Sequence, residues 1–173
     1  MKKLIVYTLL LFTVCTQAQT VKSKALKLKY TTPEGWNVEE FGGKTSWDES
    51  GNSLCKCSGL YFFKSNKDGK LNVLIYPSTV FGLDSTKRDM VGNLKFVDVE
   101  KYDKTRNKAF SFEKRKSNFT DSKTNKKSFE VIKYKAKVED HYYIIYTWQE
   151  NLGMMSPNTE KELFEVVNAI EPL

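Results

Sequence analysis

The sequence predicts an α+β domain: a mostly antiparallel sheet of about six to seven strands, with two or three packed helices. Three observations predict it. Strand-like segments recur along the chain, some alternating apolar and polar residues with period two and others apolar on both faces. Short turn signals, such as Asn66-Lys67-Asp68-Gly69 and Glu139-Asp140, separate these segments, as between antiparallel neighbours. Helical spacing is clearest in two places, one mid-chain and one at the end. The composition agrees. With 40% hydrophobic, 13% aromatic and 28% charged residues the chain is too apolar for disorder, and nine glycines and four prolines exclude a collagen-like or linker-like polymer. A length of 173 residues predicts one domain.

The first element reads as a targeting device. Lys2 and Lys3 form a short positive region, Leu4 to Val14 is an uncharged apolar run, and Thr16-Gln17-Ala18 supplies small residues before a cleavage point. That is the pattern of a secretory signal peptide over residues 1–18, and the run is shorter than the roughly 20 residues that cross a bilayer. A lipoprotein anchored through Cys15 is the alternative, with Val14 standing where lipoprotein processing normally wants Gly, Ala or Ser. Residues 19–173 then form the mature domain, expected to be exported to the periplasm or beyond the cell, with no transmembrane segment. It keeps 26 basic and 21 acidic residues.

The strands follow in order. Leu26, Leu28 and Tyr30 alternate with Lys27 and Lys29. Pro33-Glu34-Gly35 turns the chain into Trp36 to Phe41. Gly42 to Ser53 is loop in composition. Leu54 to Lys64 and Leu71 to Tyr76 flank the Asn66–Gly69 turn and form a hairpin, the second strand apolar on both faces. Asp84 or Ser85 caps a helix through about Leu94, with Met90, Val91 and Leu94 inward. Phe96 to Tyr102 and Ala109 to Lys116 are two further strands. Phe129 to Val138 sets Ile132, Tyr134, Ala136 and Val138 on one face and Lys133, Lys135 and Lys137 on the other. His141 to Gln149 is apolar on both faces and is predicted to be central. Ser156 as N-cap and Pro157 at the first helical position open the last helix, with Leu163, Phe164, Val167 and Ile170 at helical spacing.

The two chain ends carry a family resemblance. Tyr30-Thr31-Thr32-Pro33-Glu34-Gly35-Trp36-Asn37-Val38 resembles the Pro-x-Gly-Trp-x-Val opening of PsbP-like proteins, and Leu163 to Ile170 is similar to their closing helix. The helix at Asp84-Ser85 falls about where that family places its first. The resemblance implies an antiparallel sheet between helices, and an adaptor, assembly factor or extracytoplasmic accessory protein rather than an enzyme. It carries over no catalytic motif.

Catalytic and metal chemistry has little to work with. His141 is the single histidine, which removes two-histidine metal sites, and no Gly-x-Ser-x-Gly stands beside it. Adjacent carboxylates (Glu39-Glu40, Asp48-Glu49, Glu139-Asp140) point to opposite faces of a strand and make no local acid–base pair. Cys55-Lys56-Cys57 is the most suggestive local feature. Residues i and i+2 of a strand share a face, so both sulfurs can meet one soft metal ion. They can equally form a disulfide, though an extended strand separates their Cα atoms by about 6.5 to 7 Å, near the upper limit of disulfide geometry. Two packed thiols are the third reading. No catalytic residue, cofactor or committed metal site is assigned.

Charge is uneven. Residues 101–137 hold 13 basic and four acidic side chains. Arg115, Lys133, Lys135 and Lys137 are the candidate cationic contact face, for an envelope protein or an anionic envelope component; a solvated face that guards a sheet edge is the plainer reading. Nucleic acid is not expected, because the lysines do not interleave with outward aromatics. The sequence thus points to an exported, non-enzymatic accessory or binding protein acting by macromolecular contact. The alternative is a thiol-based metal or redox protein using Cys55 and Cys57.

Overall fold

Leu26, Leu28 and Tyr30 are all buried in the computed structural model, while Lys27 is exposed and Lys29 half-exposed, so the first period-two segment packs as its alternation requires. The structure describes residues 20–42, 48–50, 53, 58–78, 90–91, 94–98, 103–106, 111–121, 127–150 and 154–173. The strands in chain order are β1 (Thr20–Ser23), β2 (Leu28–Thr31), β3 (Asn37–Gly42), β4 (Ser58–Lys64), β5 (Leu71–Ser78), β6 (Met90–Val91), β7 (Leu94–Asp98), β8 (Asp103–Arg106), β9 (Ser111–Asp121), β10 (Lys127–Val138) and β11 (His141–Gln149). Helix α1 (Pro157–Asn168) and β12 (Ile170–Pro172) close the chain.

The strands form two antiparallel sheets. A small one runs β1-β2-β12 and a large one runs β3-β4-β5-β11-β10-β9-β7-β6, with β8 also on β9. The position predicted for His141–Gln149 holds: β11 lies between β5 and β10, and its residues 143–149 are buried on both faces. The β4–β5 hairpin closes where the Asn66–Gly69 signal predicts. Gly69 adopts φ +124°, and a Cβ there would lie 2.1 Å from the Glu150 carbonyl oxygen, so only glycine lets the hairpin tip lie against the end of β11.

One face of the large sheet carries the main core. Leu60, Phe62, Val73, Ile75, Ile132, Tyr134, Ala136, Tyr143 and Ile145 meet Leu28 and Tyr30 of the small sheet and Leu163, Val166 and Val167 of α1. Tyr30 meets Phe62 edge-on at 5.2 Å. Each fully buried aliphatic side chain of α1 contributes roughly 1.5–3 kcal/mol. The helix begins as its sequence predicts: the Ser156 hydroxyl accepts from Thr159 N–H at 3.1 Å, and Pro157 opens the first turn. Half-buried Lys64 ties β4 to α1 through Glu162 at 2.6 Å. The small sheet and α1 thus form a second layer over this face.

The predicted fold class needs correction. The described residues hold twelve strands and one helix, so the domain is mostly β rather than a sheet with two or three packed helices. Of the helix expected from Asp84 or Ser85 to about Leu94, residues 84–89 lie outside the described residues, and Met90, Val91 and Leu94 are strand. Val91 pairs with Leu94 and Met90 with Lys95, and β7 continues onto β9. The dipeptide between the paired residues is Gly92-Asn93, a composition that weakens a helix and suits a reversal. Tertiary pairing with β9 decides the matter over the 3.6-residue spacing of Met90, Val91 and Leu94.

Candidate functional site

The second face of the large sheet is set by the same pleat that builds the core. In β4, Leu60 and Phe62 point to α1 and the small sheet, so Tyr61 and Phe63 point the other way. Pairing then carries the row across the sheet: Glu39 faces Tyr61, Tyr61 faces Leu74, Leu74 faces Tyr146, and Tyr146 faces Lys133. A neighbouring row runs from Tyr76 through Ile144 to Lys135. Leu74, Val131, Ile144, Tyr146 and Trp148 form a second apolar cluster there, with Tyr61 and Tyr76 packed against it.

This face is graded. Along β10 and β11 it is buried, but along β3, β4 and β5 the large rings stay partly open: Tyr61, Phe63 and Tyr76 are half-exposed and Phe41 is 37% exposed. The open rings are held in fixed pairs. Tyr61 and Phe63 stack at 5.2 Å with an interplanar angle of 25°, and Phe41 meets Tyr76 edge-on at 5.7 Å. Lys70 closes over the stacked pair, its Nζ 4.4 Å from the Phe63 ring centre and 5.1 Å from that of Tyr61. Its pKa is raised above the ordinary lysine value, first by a hydrogen bond with Tyr61, against the opposing effect of burial, with the Glu150 and Glu39 charges adding to the rise. The Tyr61 hydroxyl donates to Asn72 Oδ1 at 2.5 Å, and Asn72 in turn donates to the Lys70 carbonyl at 2.8 Å. Ring, amide and ammonium are therefore fixed as one shelf on rigid strands. Burial raises the Tyr76 phenol pKa, so it stays neutral across the physiological range.

Gly59 makes the shelf possible. It faces Phe41 across β3 and β4, and a Cβ there would lie 2.5 Å from Phe41 Cζ and 2.8 Å from the Ile75 carbonyl oxygen. The absent side chain is the space into which the Phe41 ring turns to reach Tyr76.

The residues singled out from sequence are distributed as follows. Lys133, Lys135 and Lys137 do share the second face, on β10. Lys133 is fully buried, with its Nζ 5.9 Å from the Tyr146 ring centre, and Lys135 is 8% exposed. Lys137 is exposed, lies 5.5 Å from the Tyr142 ring centre, and pairs with Asp140 at 3.7 Å. Arg115 stands opposite Lys133 in the β9–β10 register. Of the three lysines, only Lys137 is an exposed residue. Cys55 and Cys57 lie outside the described residues, as do Cys15 and the predicted leader. His141 is half-exposed at the start of β11; burial foremost and the Lys27 charge next lower its pKa, with Asp140 and Glu139 pulling the other way. Among the described residues no three of His, Cys, Asp and Glu gather as a metal site. Glu39 and Glu40 point to opposite faces as expected: Glu39 stands in the Tyr61 row, and Glu40 accepts from the Ser23 hydroxyl at 2.5 Å.

Sequence reasoning missed Phe41, Tyr61, Phe63, Lys70 and Tyr76. The signal was present. Leu54 to Lys64 reads as uniformly apolar and aromatic, yet its second half alternates aliphatic or buried aromatic side chains with Tyr61 and Phe63, a strand whose two faces differ.

No family model and no curated protein matches the sequence. Among solved structures the chain is similar to the solution structure of cyanobacterial PsbP (CyanoP) from Synechocystis sp. PCC 6803. The TM-score is 0.49 at 9% identity, over 91% of this chain and 93% of that one. At such identity and TM-score the likeness carries nothing about family, activity or partners. Among the described residues no helix is long and apolar enough to cross a membrane.

Proposed function

We propose that this chain is an exported accessory protein of the bacterial envelope, with residues 19–173 as one domain, that works by docking on another protein through the Phe41–Tyr61–Phe63–Tyr76 shelf. The observation that carries the reading is the state of those rings. They are half-exposed, fixed in pairs on adjacent strands and capped by Lys70. Rigid aromatic side chains with one open face lose little conformational entropy on docking, and they dominate the energetics of protein interfaces. Lys70 at the shelf and exposed Lys137 further along the same face favour a partner surface that mixes apolar and acidic groups. The apolar run over Leu4 to Val14 and the small residues before Gln19 support export.

Site-directed photocrosslinking in intact cells tests the docking reading. A benzophenone side chain in place of Phe63 is expected to trap one envelope protein. The same group in place of Glu165, exposed on α1, is expected to trap none. Equal products from both positions, or none from Phe63, end the reading. N-terminal sequencing of the exported form, expected to begin at Gln19, tests export separately.

A further inference from the structure

The large sheet ends at β3, and the described residues place no strand on its outer side. Asn37, Glu39, Glu40, Phe41 and Gly42 are exposed and only Val38 is half-buried, so this edge lies open. An antiparallel edge strand turns the N–H and C=O groups of alternate residues outward, a template for another strand. Sheet edges are ordinarily guarded by proline, lysine or a bulge. None of these guards β3: Asn37–Gly42 contains no proline and no lysine, and its pairing with β4 runs from Asn37–Phe63 to Gly42–Ser58 without a register shift. Two adjacent carboxylates stand there instead.

Those carboxylates select the occupant. A second copy pairing antiparallel about the strand centre, through a twofold axis normal to the sheet, would set Glu39 against its own copy or Glu40 against its own, and like charges directly opposite are destabilising. A strand with basic residues at those two places meets the opposite situation. Glu40 lies on the core side, where it accepts from Ser23, and Glu39 lies on the shelf side, so the two carboxylates address both faces of an added strand. Val38 and Phe41 flank them and offer an apolar contact on each side.

We propose that β3 is a strand-addition site for an extended segment of another protein, one that places two consecutive Lys or Arg residues opposite Glu40 and Glu39, with an apolar residue before and after. Backbone hydrogen bonds supply the affinity, and the charge pair with its apolar flanks sets register and selectivity. The edge adjoins the shelf through Phe41 but does not require that the shelf be a docking surface.

The test uses the 15N-labelled protein and two synthetic peptides, acetyl-Thr-Val-Lys-Lys-Val-Thr-amide and its Glu-Glu counterpart. The basic peptide is expected to shift the amide signals of residues 37–42 and slow their hydrogen exchange. It is expected to bind at least about tenfold more tightly than the acidic one, with the gap narrowing in high salt. The Glu39→Gln, Glu40→Gln double variant, checked for a native spectrum, is expected to bring the two peptides within about twofold of each other. Equal affinity of both peptides for the unaltered protein overturns the proposal. So do shifts centred elsewhere, such as at Lys137, or no change at 37–42 at millimolar peptide. A concentration-dependent dimer that protects the same amides without peptide assigns the edge to a second copy and overturns it as well.

Discussion

The Tyr143 hydroxyl on β11 donates to the carbonyl oxygen of Leu26 at 2.5 Å, across 117 residues of chain. Both groups are buried, so the bond fastens the loop before β2 to the centre of the large sheet in a water-poor interior. Burial, with a smaller push from Glu139, raises the phenol pKa and keeps it a donor well into the alkaline range. Tyr143→Phe leaves the Leu26 carbonyl without this donor and is expected to cost about 1–3 kcal/mol. Tyr142→Phe removes the hydroxyl of a half-exposed residue and is expected to stay within about 0.5 kcal/mol of the parent. Urea unfolding of the two variants checks this, and equal losses would show that the bond contributes nothing specific.

Gly59→Ala tests whether the shelf depends on a missing side chain. The added methyl meets the Phe41 ring on one side and the Ile75 carbonyl on the other. The ring can turn away but the carbonyl belongs to a paired strand, so the expected cost is about 1–3 kcal/mol. Phe41→Ala in the same chain relieves the first clash only, and is expected to recover part of the loss. Near-UV circular dichroism should change in Gly59→Ala, because the Phe41–Tyr76 pair is displaced. An unaltered spectrum with full stability would refute the space-filling account.

The end of the chain allows a cleaner separation of local from tertiary terms. Ser156→Ala removes the N-cap of α1 and is expected to cost about 1 kcal/mol, with little dependence on salt. Glu162→Gln breaks the partly screened pair with Lys64 and is expected to cost at most about 1 kcal/mol, a loss that shrinks in high salt. Unfolding midpoints in low and high salt distinguish the two. A salt-independent loss at Glu162 would mean that its packing, and not its charge, is what matters.

What was legible in the sequence follows the range of the interactions that decide it. Ser156 and Pro157 announce α1 because capping is settled within four residues, and β11 is legible as central because both of its faces are apolar over nine residues. Strands β1 and β12 were missed because neither has a periodicity of its own: they are four and three residues long and exist by pairing with β2. The helical reading of Met90, Val91 and Leu94 failed because three apolar residues at helical spacing also fit a short hairpin, and distant β9 chooses between them. Lys133, Lys135 and Lys137 were legible as one face, but the burial of Lys133 and Lys135 was not. Lys133 is fully buried, and which residues pack above a strand is a tertiary fact that alternation cannot carry. The shelf rings were hidden in the same way. Phe62 and Phe63 are the same residue type one position apart, and only the layer on one side of the sheet makes the first core and the second surface.

His141 supplies a pH dependence whose sign is fixed by its surroundings. Burial and the Lys27 charge hold its folded pKa below the ordinary value near 6.5, against the pull of Asp140 and Glu139. The unfolded chain therefore binds this proton more tightly than the folded one. The stability linked to His141 is complete above about pH 6.5 and is lost as pH falls through the folded pKa. His141→Gln removes that contribution, so its unfolding midpoint is expected to fall less steeply than the parent's as pH is lowered through this range. Lys27→Met is expected to raise the histidine pKa and to flatten the slope in part. The chain has a single histidine, so its titration can be followed by one imidazole resonance without assignment by mutation. A midpoint at or above about 6.5 in the folded protein would reverse the predicted sign. It would place the carboxylates of the Glu139-Asp140 turn, rather than burial and Lys27, in control of the group.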